Sequence, residues 1–359
     1  MLIAMPISEP RHHPWLTRYA VLTAVATLGL ICLGGLVTSH GVGMAVPDWP
    51  TTYGYNMFFF PISQWVGGIF YEHTHRLMAS GVGLMTLVLA VWIWVAEHRR
   101  WMRWLGVIAA LAVVLQGVLG GLRVIAMQAG LGVVHATLAQ LFLALVSALA
   151  LFASRWWMRR GFLPEPICVP RWTVQLYGTV TGLIVLQLVL GALMRHQHAG
   201  LAIPDFPAAY GRVWPAMDAE SISHYNQLRM EATDLNPITA GGVGLHMAHR
   251  MTALFILFGV AGLAWSALRR WGWRQRLTQA SVGWLGLIVC QVALGAATIW
   301  TNKSADITTA HVAVGSLSLV TGAMLLLVCC RVSQRHVPAT ADGDRPGWDE
   351  AAPGRALPA

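Results

Sequence analysis

Residues 43–54 read GMAVPDWPTTYG, and residues 200–211 read GLAIPDFPAAYG. The shared pattern is Gly-x-Ala-x-Pro-Asp-aromatic-Pro-x-x-Tyr-Gly, repeated at an offset of 157. Later landmarks recur in the same order. Glu72, His75 and Arg76 align with His246, His249 and Arg250 at 174. Gln116, in LQGVLG, aligns with Gln291, in CQVALG, at 175, and His135 aligns with His311 at 176. Recurrence of this kind, in constant order, marks an internally duplicated chain.

Between the landmarks the sequence is apolar. Runs of roughly 18–23 residues, long enough to cross a hydrocarbon core, fall near 16–38, 77–96, 104–122, 131–153, 173–194, 251–268, 279–300 and 311–330. Hydrophobic residues make up 56% of the chain and charged residues 11%, which excludes an ordinary soluble domain. Four runs per repeat return the chain to its starting side, so the halves share one orientation about an axis along the membrane normal. The expected fold is an all-α integral membrane protein, its eight transmembrane helices forming two pseudo-twofold-related four-helix bundles. The expected organisation is a cytoplasmic N-terminus (1–15), an N-terminal bundle (16–153), a cytoplasmic linker (154–172), a C-terminal bundle (173–330) and a disordered cytoplasmic tail (331–359) rich in Pro, Ala, Gly and Asp.

The net charge of +9 is distributed as a topology signal. Of the 24 basic residues, 17 fall before run 1, between runs 2 and 3, 4 and 5, and 6 and 7, or after run 8. The positive-inside rule then puts both termini in the cytoplasm and the two long loops outside. The same placement argues against a nucleic-acid footprint. Four of the five cysteines, Cys32, Cys290, Cys329 and Cys330, lie in apolar runs, and Cys168 lies in an Arg-rich connection, so no disulfide framework is expected in the outside loops.

His75, His135, His249 and His311 each lie near the outer end of an even-numbered run, at comparable depth. Each half thus contributes two imidazoles at matched positions. Imidazole suits iron, copper and zinc. Zinc usually takes three or four protein ligands, whereas two histidines from two helices suit a haem with both axial positions filled. In GIFYEHTHRLMAS (68–80), Glu72 shares a helix face with His75 and Arg76. A helix-start ion pair accounts for Glu72 and Arg76, but not for His75, nor for His246 in the second half. The recurrence of Arg76 and Arg250 suits contacts to haem propionates. The carboxylate, present in one half only, suits proton transfer or stabilisation of charge beside a haem. Pro-Asp-aromatic-Pro reads as a tight turn, with cover of a haem edge by Trp49 or Phe206 as the alternative.

With these residues the chain resembles the haem A synthase family over residues 16–330. The carriers are two four-span halves, Glu-x-x-His-Arg at 72–76, His-Arg at 249–250, and the single histidines His135 and His311. The resemblance implies an inner-membrane oxidoreductase that converts one methyl group of haem O to a formyl group, giving haem A for cytochrome oxidase. It implies a haem b (iron) held in the second half by His249 and His311, substrate haem O between His75 and His135 in the first, and Glu72 as the residue needed for activity. His246 is a further candidate for haem contact. Implied partners are haem O, the haem O synthase that delivers it, an electron donor and membrane lipid, with no nucleic acid. Many bacterial members carry a cysteine pair in the first outside loop; this chain has none there. The competing readings are a two-haem b-type electron-transfer subunit, which needs paired histidines but no lone glutamate, and a haem carrier or transporter.

Overall fold

A computed structural model describes residues 13–126, 128–158, 167–228 and 237–333. The expected tail beyond 333 and most of the N-terminal segment lie outside these residues. Ten α-helices are described: α1 (Pro14–Ser39), α2 (Gly67–Ala96), α3 (Arg100–Ala126), α4 (Ala129–Ala153), α5 (Arg155–Met158), α6 (Arg171–His196), α7 (Ala219–Leu228), α8 (Ala240–Trp271), α9 (Arg276–Trp300) and α10 (Ala305–Ser333). Eight of them, all but α5 and α7, are long and apolar enough to cross a membrane. Among the described residues no strand forms, and the only bridges are Thr52–Tyr55 and Ala209–Arg212. The protein is an all-α integral membrane protein.

Lipid as solvent explains the helices. Every backbone N–H and C=O within hydrocarbon needs an internal partner, and hydroxyls inside these helices bond the carbonyl one turn back, as Thr27 does to Thr23 (2.7 Å) and Thr86 to Val82 (2.8 Å). Large apolar side chains such as Leu84, Val91, Leu111, Phe255 and Phe258 remain exposed along the outer helix faces, as a lipid-facing surface requires.

The two halves pair their helices alike. In the first, α1 packs on α2 and α4, and α3 packs on α2 and α4. In the second, α6 packs on α8 and α10, and α9 packs on α8 and α10. Each half is therefore a ring of four, with α2 diagonal to α4 and α8 diagonal to α10. Between halves, α1 meets α10, α6 meets α4, and α4 meets α10. Exchange of the halves maps this set of pairings onto itself. Separate apolar cores fill the Arg-rich ends, around Leu89, Ile93, Met102 and Leu149 in the first ring and Tyr177, Leu263, Leu277 and Trp284 in the second. Trp284 is fully buried with its indole N–H on the Ser318 carbonyl (2.9 Å).

Two helices differ from the sequence-based expectation in a way that matters for the site. The apolar runs begin near 77 and 251, yet α2 begins at Gly67 and α8 at Ala240. Hydropathy reports where lipid begins, not where helical hydrogen bonding begins. The polar residues 72–76 and 246–250 occupy these added turns, and the repeated loops fold over them.

Candidate functional site

The loop motif is a built structure, and its residue types follow from its bonds. The Asp48 carboxylate accepts the N–H groups of Tyr53 (2.8 Å) and Gly54 (2.9 Å) and the Thr51 hydroxyl (2.5 Å). Asp205 accepts those of Tyr210 (2.7 Å) and Gly211 (2.8 Å). Tyr53 and Gly54, like Tyr210 and Gly211, have positive φ, the conformation of a tight two-residue turn, which explains the glycine. Each tyrosine hydroxyl reaches back to an alanine carbonyl, Tyr53 to Ala45 (2.5 Å) and Tyr210 to Ala202 (2.8 Å). The Trp49–Pro50 and Phe206–Pro207 bonds are both cis. The turn expected from Pro-Asp-aromatic-Pro is present in both halves.

Slight burial alone would raise the Asp48 pKa, but the donors Gly54, Thr51 and Tyr53 outweigh it and hold the carboxyl below its ordinary 3.8. The sign follows from the lowered value. The stabilisation of the loop is fully present above 3.8 and is lost as pH falls through the folded-state pKa, which is lower still. Hydrogen exchange, corrected for intrinsic rates, should show the Tyr53 and Gly54 amides protected at neutral pH and released only below that point. Asp48→Asn should release them at neutral pH.

Arg76 and Arg250 are the struts of these loops. Arg76 donates to the carbonyls of Asp48 (2.6 Å), Thr51 (3.1 Å) and Val46 (2.7 Å), and Arg250 to those of Asp205 (2.6 Å) and Ala208 (2.8 Å). These guanidinium groups, expected as propionate contacts, are engaged by loop carbonyls at matched positions. The arginine recurs because the loop recurs.

Glu72 is buried, 4% exposed. One carboxylate oxygen accepts Arg76 Nη2 (2.7 Å), and the other accepts the Val46 N–H (2.9 Å). The expected ion pair is present, but not at a helix start, since α2 begins five residues earlier. The Val46 N–H and Arg76, not the helix dipole, compensate the buried charge. His246, in the corresponding place, is also buried, and its Nδ1 has no hydrogen-bond partner. His73 has a structural task. It is fully buried between Phe60 and Trp65, with Nδ1 3.2 Å from the Thr52 hydroxyl. His40 stacks on Tyr71.

The four matched histidines come from the diagonal helices of each ring. His75 (α2) lies within electrostatic reach of His135 (α4), and His249 (α8) of His311 (α10). Each imidazole rests on a glycine of the neighbouring odd-positioned helix. A Cβ added at Gly34, Gly120, Gly191 or Gly295 would lie 3.1, 3.4, 3.3 or 3.2 Å from Cε1 of His75, His135, His249 or His311. These glycines repeat as the histidines do, Gly34 with Gly191 at 157 and Gly120 with Gly295 at 175. Sequence spacing marks Gly120 for close helix packing, and only the fold shows that each of the four supports an imidazole. Nδ1 of all four histidines is sealed without a partner in hydrogen-bonding geometry. Backbone carbonyls one turn before the glycine nevertheless lie against three of the rings: Leu30 at His75, Gln116 at His135 and Gln291 at His311. Such backing holds an imidazole in one orientation. Gln116 Nε2 donates to the His135 carbonyl (3.2 Å) and Gln187 Nε2 to the His249 carbonyl (3.0 Å), while Gln291 Nε2 lies 3.5 Å from His311 Nε2.

This donor set fits a flat iron porphyrin. Each ring of helices brings two imidazoles within electrostatic reach of each other, and glycines let them sit back against the wall. A side chain at Gly295 would drive His311 inward, so Gly295→Leu should lower bound haem in the second half while leaving Gly120-supported chemistry intact. Haem stoichiometry per chain in the purified protein measures this.

The roof of the first ring completes the site. The Trp49 ring lies against Gly121, overlapping the place a Cβ would occupy, next to the glycine that supports His135. Phe206, its counterpart, meets Trp300 at the end of α9 (6.2 Å between ring centres). Of the two sequence-based alternatives for this segment, the turn is present, and the same loop sets Trp49 against α3.

The family model for cytochrome oxidase assembly proteins matches residues 60–324. The Heme A synthase of Geobacillus kaustophilus is 28% identical over 349 residues, spanning 93% of this chain and 96% of that protein. Those of Alkalihalophilus pseudofirmus and Halalkalibacterium halodurans are 24% and 25% identical, each over 89% of this chain and 99% or 98% of their own length. With the family match running from the loop before α2 into α10, this chain belongs to the cytochrome oxidase assembly protein family.

Proposed function

We propose that the protein is a haem A synthase, oxidising one methyl group of haem O to a formyl group in successive steps. The observation that carries this reading is asymmetry within a repeat. Both rings present a diagonal pair of glycine-backed histidines, but only the first places a buried carboxylate, Glu72, one turn before its histidine. In this reading haem O binds as substrate between His75 and His135. His249 and His311 hold haem b in the second ring, where it supplies one-electron transfer.

The residues divide the remaining work. Val46 N–H and Arg76 hold Glu72 in one orientation, so its carboxylate meets the reacting methyl group at a set angle and can accept a proton or stabilise developing positive charge. Trp49 and the 43–54 turn exclude water from the ring edge. In this reading the chain lies in the inner membrane, and the basic-residue distribution supports cytoplasmic termini with the haem sites toward the outer face. Delivery by a haem O synthase, dioxygen as the oxidant and oxygen source, and a separate electron donor that supplies the electrons for its reduction to water complete the proposed cycle. Expression with a source of haem O, followed by haem extraction and mass identification, tests the assignment. Formyl haem is the expected product, and its absence from a haem-loaded, folded native chain would overturn the reading.

A further inference from the structure

Arg123 is a second charge that only the first ring carries. It lies in the last turn of α3, one turn beyond Gly120, the glycine that supports His135. At the matched position of α9, offset 175, stands Thr298, whose hydroxyl bonds back to the Leu294 carbonyl (2.9 Å). Arg123 Nη2 lies over Gly43, where an added Cβ would approach it to 3.1 Å, at the start of the loop whose Val46 N–H holds Glu72. Its charge reaches His75, His135 and Glu72. Among the described residues it makes no hydrogen bond or ion pair, unlike the neighbouring Arg195, which donates to the Gly35 carbonyl (2.7 Å) and the Ser39 hydroxyl (2.5 Å) of α1.

A cation at a helix C-terminus is favoured by the helix dipole. That would serve α9 equally well, and it does not explain why this guanidinium lies over the start of the 43–54 loop with its charge in reach of two histidines and a carboxylate. A permanently charged group at the outer end of a membrane helix is costly unless an anion meets it, and the carboxylate in its electrostatic reach, Glu72, is bonded instead to Arg76 and the Val46 N–H. We propose that Arg123 anchors a carboxylate of the substrate porphyrin, the propionate edge, and so orients the ring in the first site. The need is specific to a substrate. A resident haem is held by two iron–histidine bonds whichever way its plane is turned, whereas one particular methyl must face Glu72. With Arg123 and Glu72 on the same flank, the anchored carboxylate and the reacting methyl lie on the same rim of the macrocycle.

This rests on the proposed function, and the test separates the two. Chain with haem b in place, under anaerobic conditions and without an electron donor, is titrated with haem O and with haem O dimethyl ester while the Soret band is followed. The native chain should bind the free acid about ten- to a hundredfold more tightly than the ester, the range for a hydrogen bond to a charged group. Arg123→Gln should bind both at the ester's affinity, with haem b content unchanged as the check on folding, and Arg123→Lys should restore part of the preference. Retention of the native preference in Arg123→Gln, or no preference in the native chain, would overturn the anchor. A native chain that prefers the acid but makes no formyl haem would sink the synthase reading and leave the anchor standing.

Discussion

Glu72→Ala should leave the chain folded and its second ring loaded with haem b, yet reduce formyl haem formation by about a hundredfold or more, the scale of a lost acid–base group. The folding half of this expectation follows from the local bonds. Arg76 keeps its three loop carbonyls when the carboxylate is gone, so the 43–54 turn retains its strut. What is lost is the acceptor for the Val46 N–H and the negative charge. Glu72→Gln separates these two, because an amide oxygen can still accept from Val46 but carries no charge. If Glu72→Gln remains inactive with an ordered loop, the charge or proton is the working feature. Product at the native rate from Glu72→Ala would remove the residue from the mechanism.

His249→Ala should strip haem b from the second ring while leaving the helices in place. The Gln187 bond ends on the His249 backbone carbonyl and survives truncation of the side chain. Even outer partners of metal ligands are commonly worth ten- to a hundredfold in affinity, so loss of a ligand itself should cost at least about tenfold. A pyridine haemochrome assay on purified protein gives the stoichiometry. His75→Ala is the matched control in the other ring, and it should leave haem b content unchanged. Unaltered haem content in His249→Ala would end the assignment of a bis-histidine centre between α8 and α10.

Together the two variants test a division of labour that a duplicated chain makes possible. Duplication supplies two rings with the same glycine-backed histidines and the same arginine-braced loop. Divergence then separates them, at Glu72 against His246 and at Arg123 against Thr298 among other positions. At these two positions the first ring carries opposite charges where the second carries a histidine and a threonine. In the proposed function the catalytic difference rests on these side chains, while the shared scaffold is left to packing.

What the sequence by itself determined was the frame. Eight apolar runs, a repeat at constant offsets and four histidines at matched positions are one-dimensional patterns, because lipid thickness fixes helix length and a duplication preserves spacing. What only the tertiary structure decided was the assignment of polar partners. Arg76 looked free to meet a ligand until the loop that precedes it by some thirty residues was seen to fold its carbonyls onto the guanidinium. Gly34 and Gly120 carry no sign in sequence that each lies under an imidazole of another helix. Arg123 is one basic residue among 24 until the fold brings its charge within reach of Glu72 and both first-ring histidines. A hydrogen bond between segments far apart in sequence leaves no periodicity behind, so only the folded chain records it.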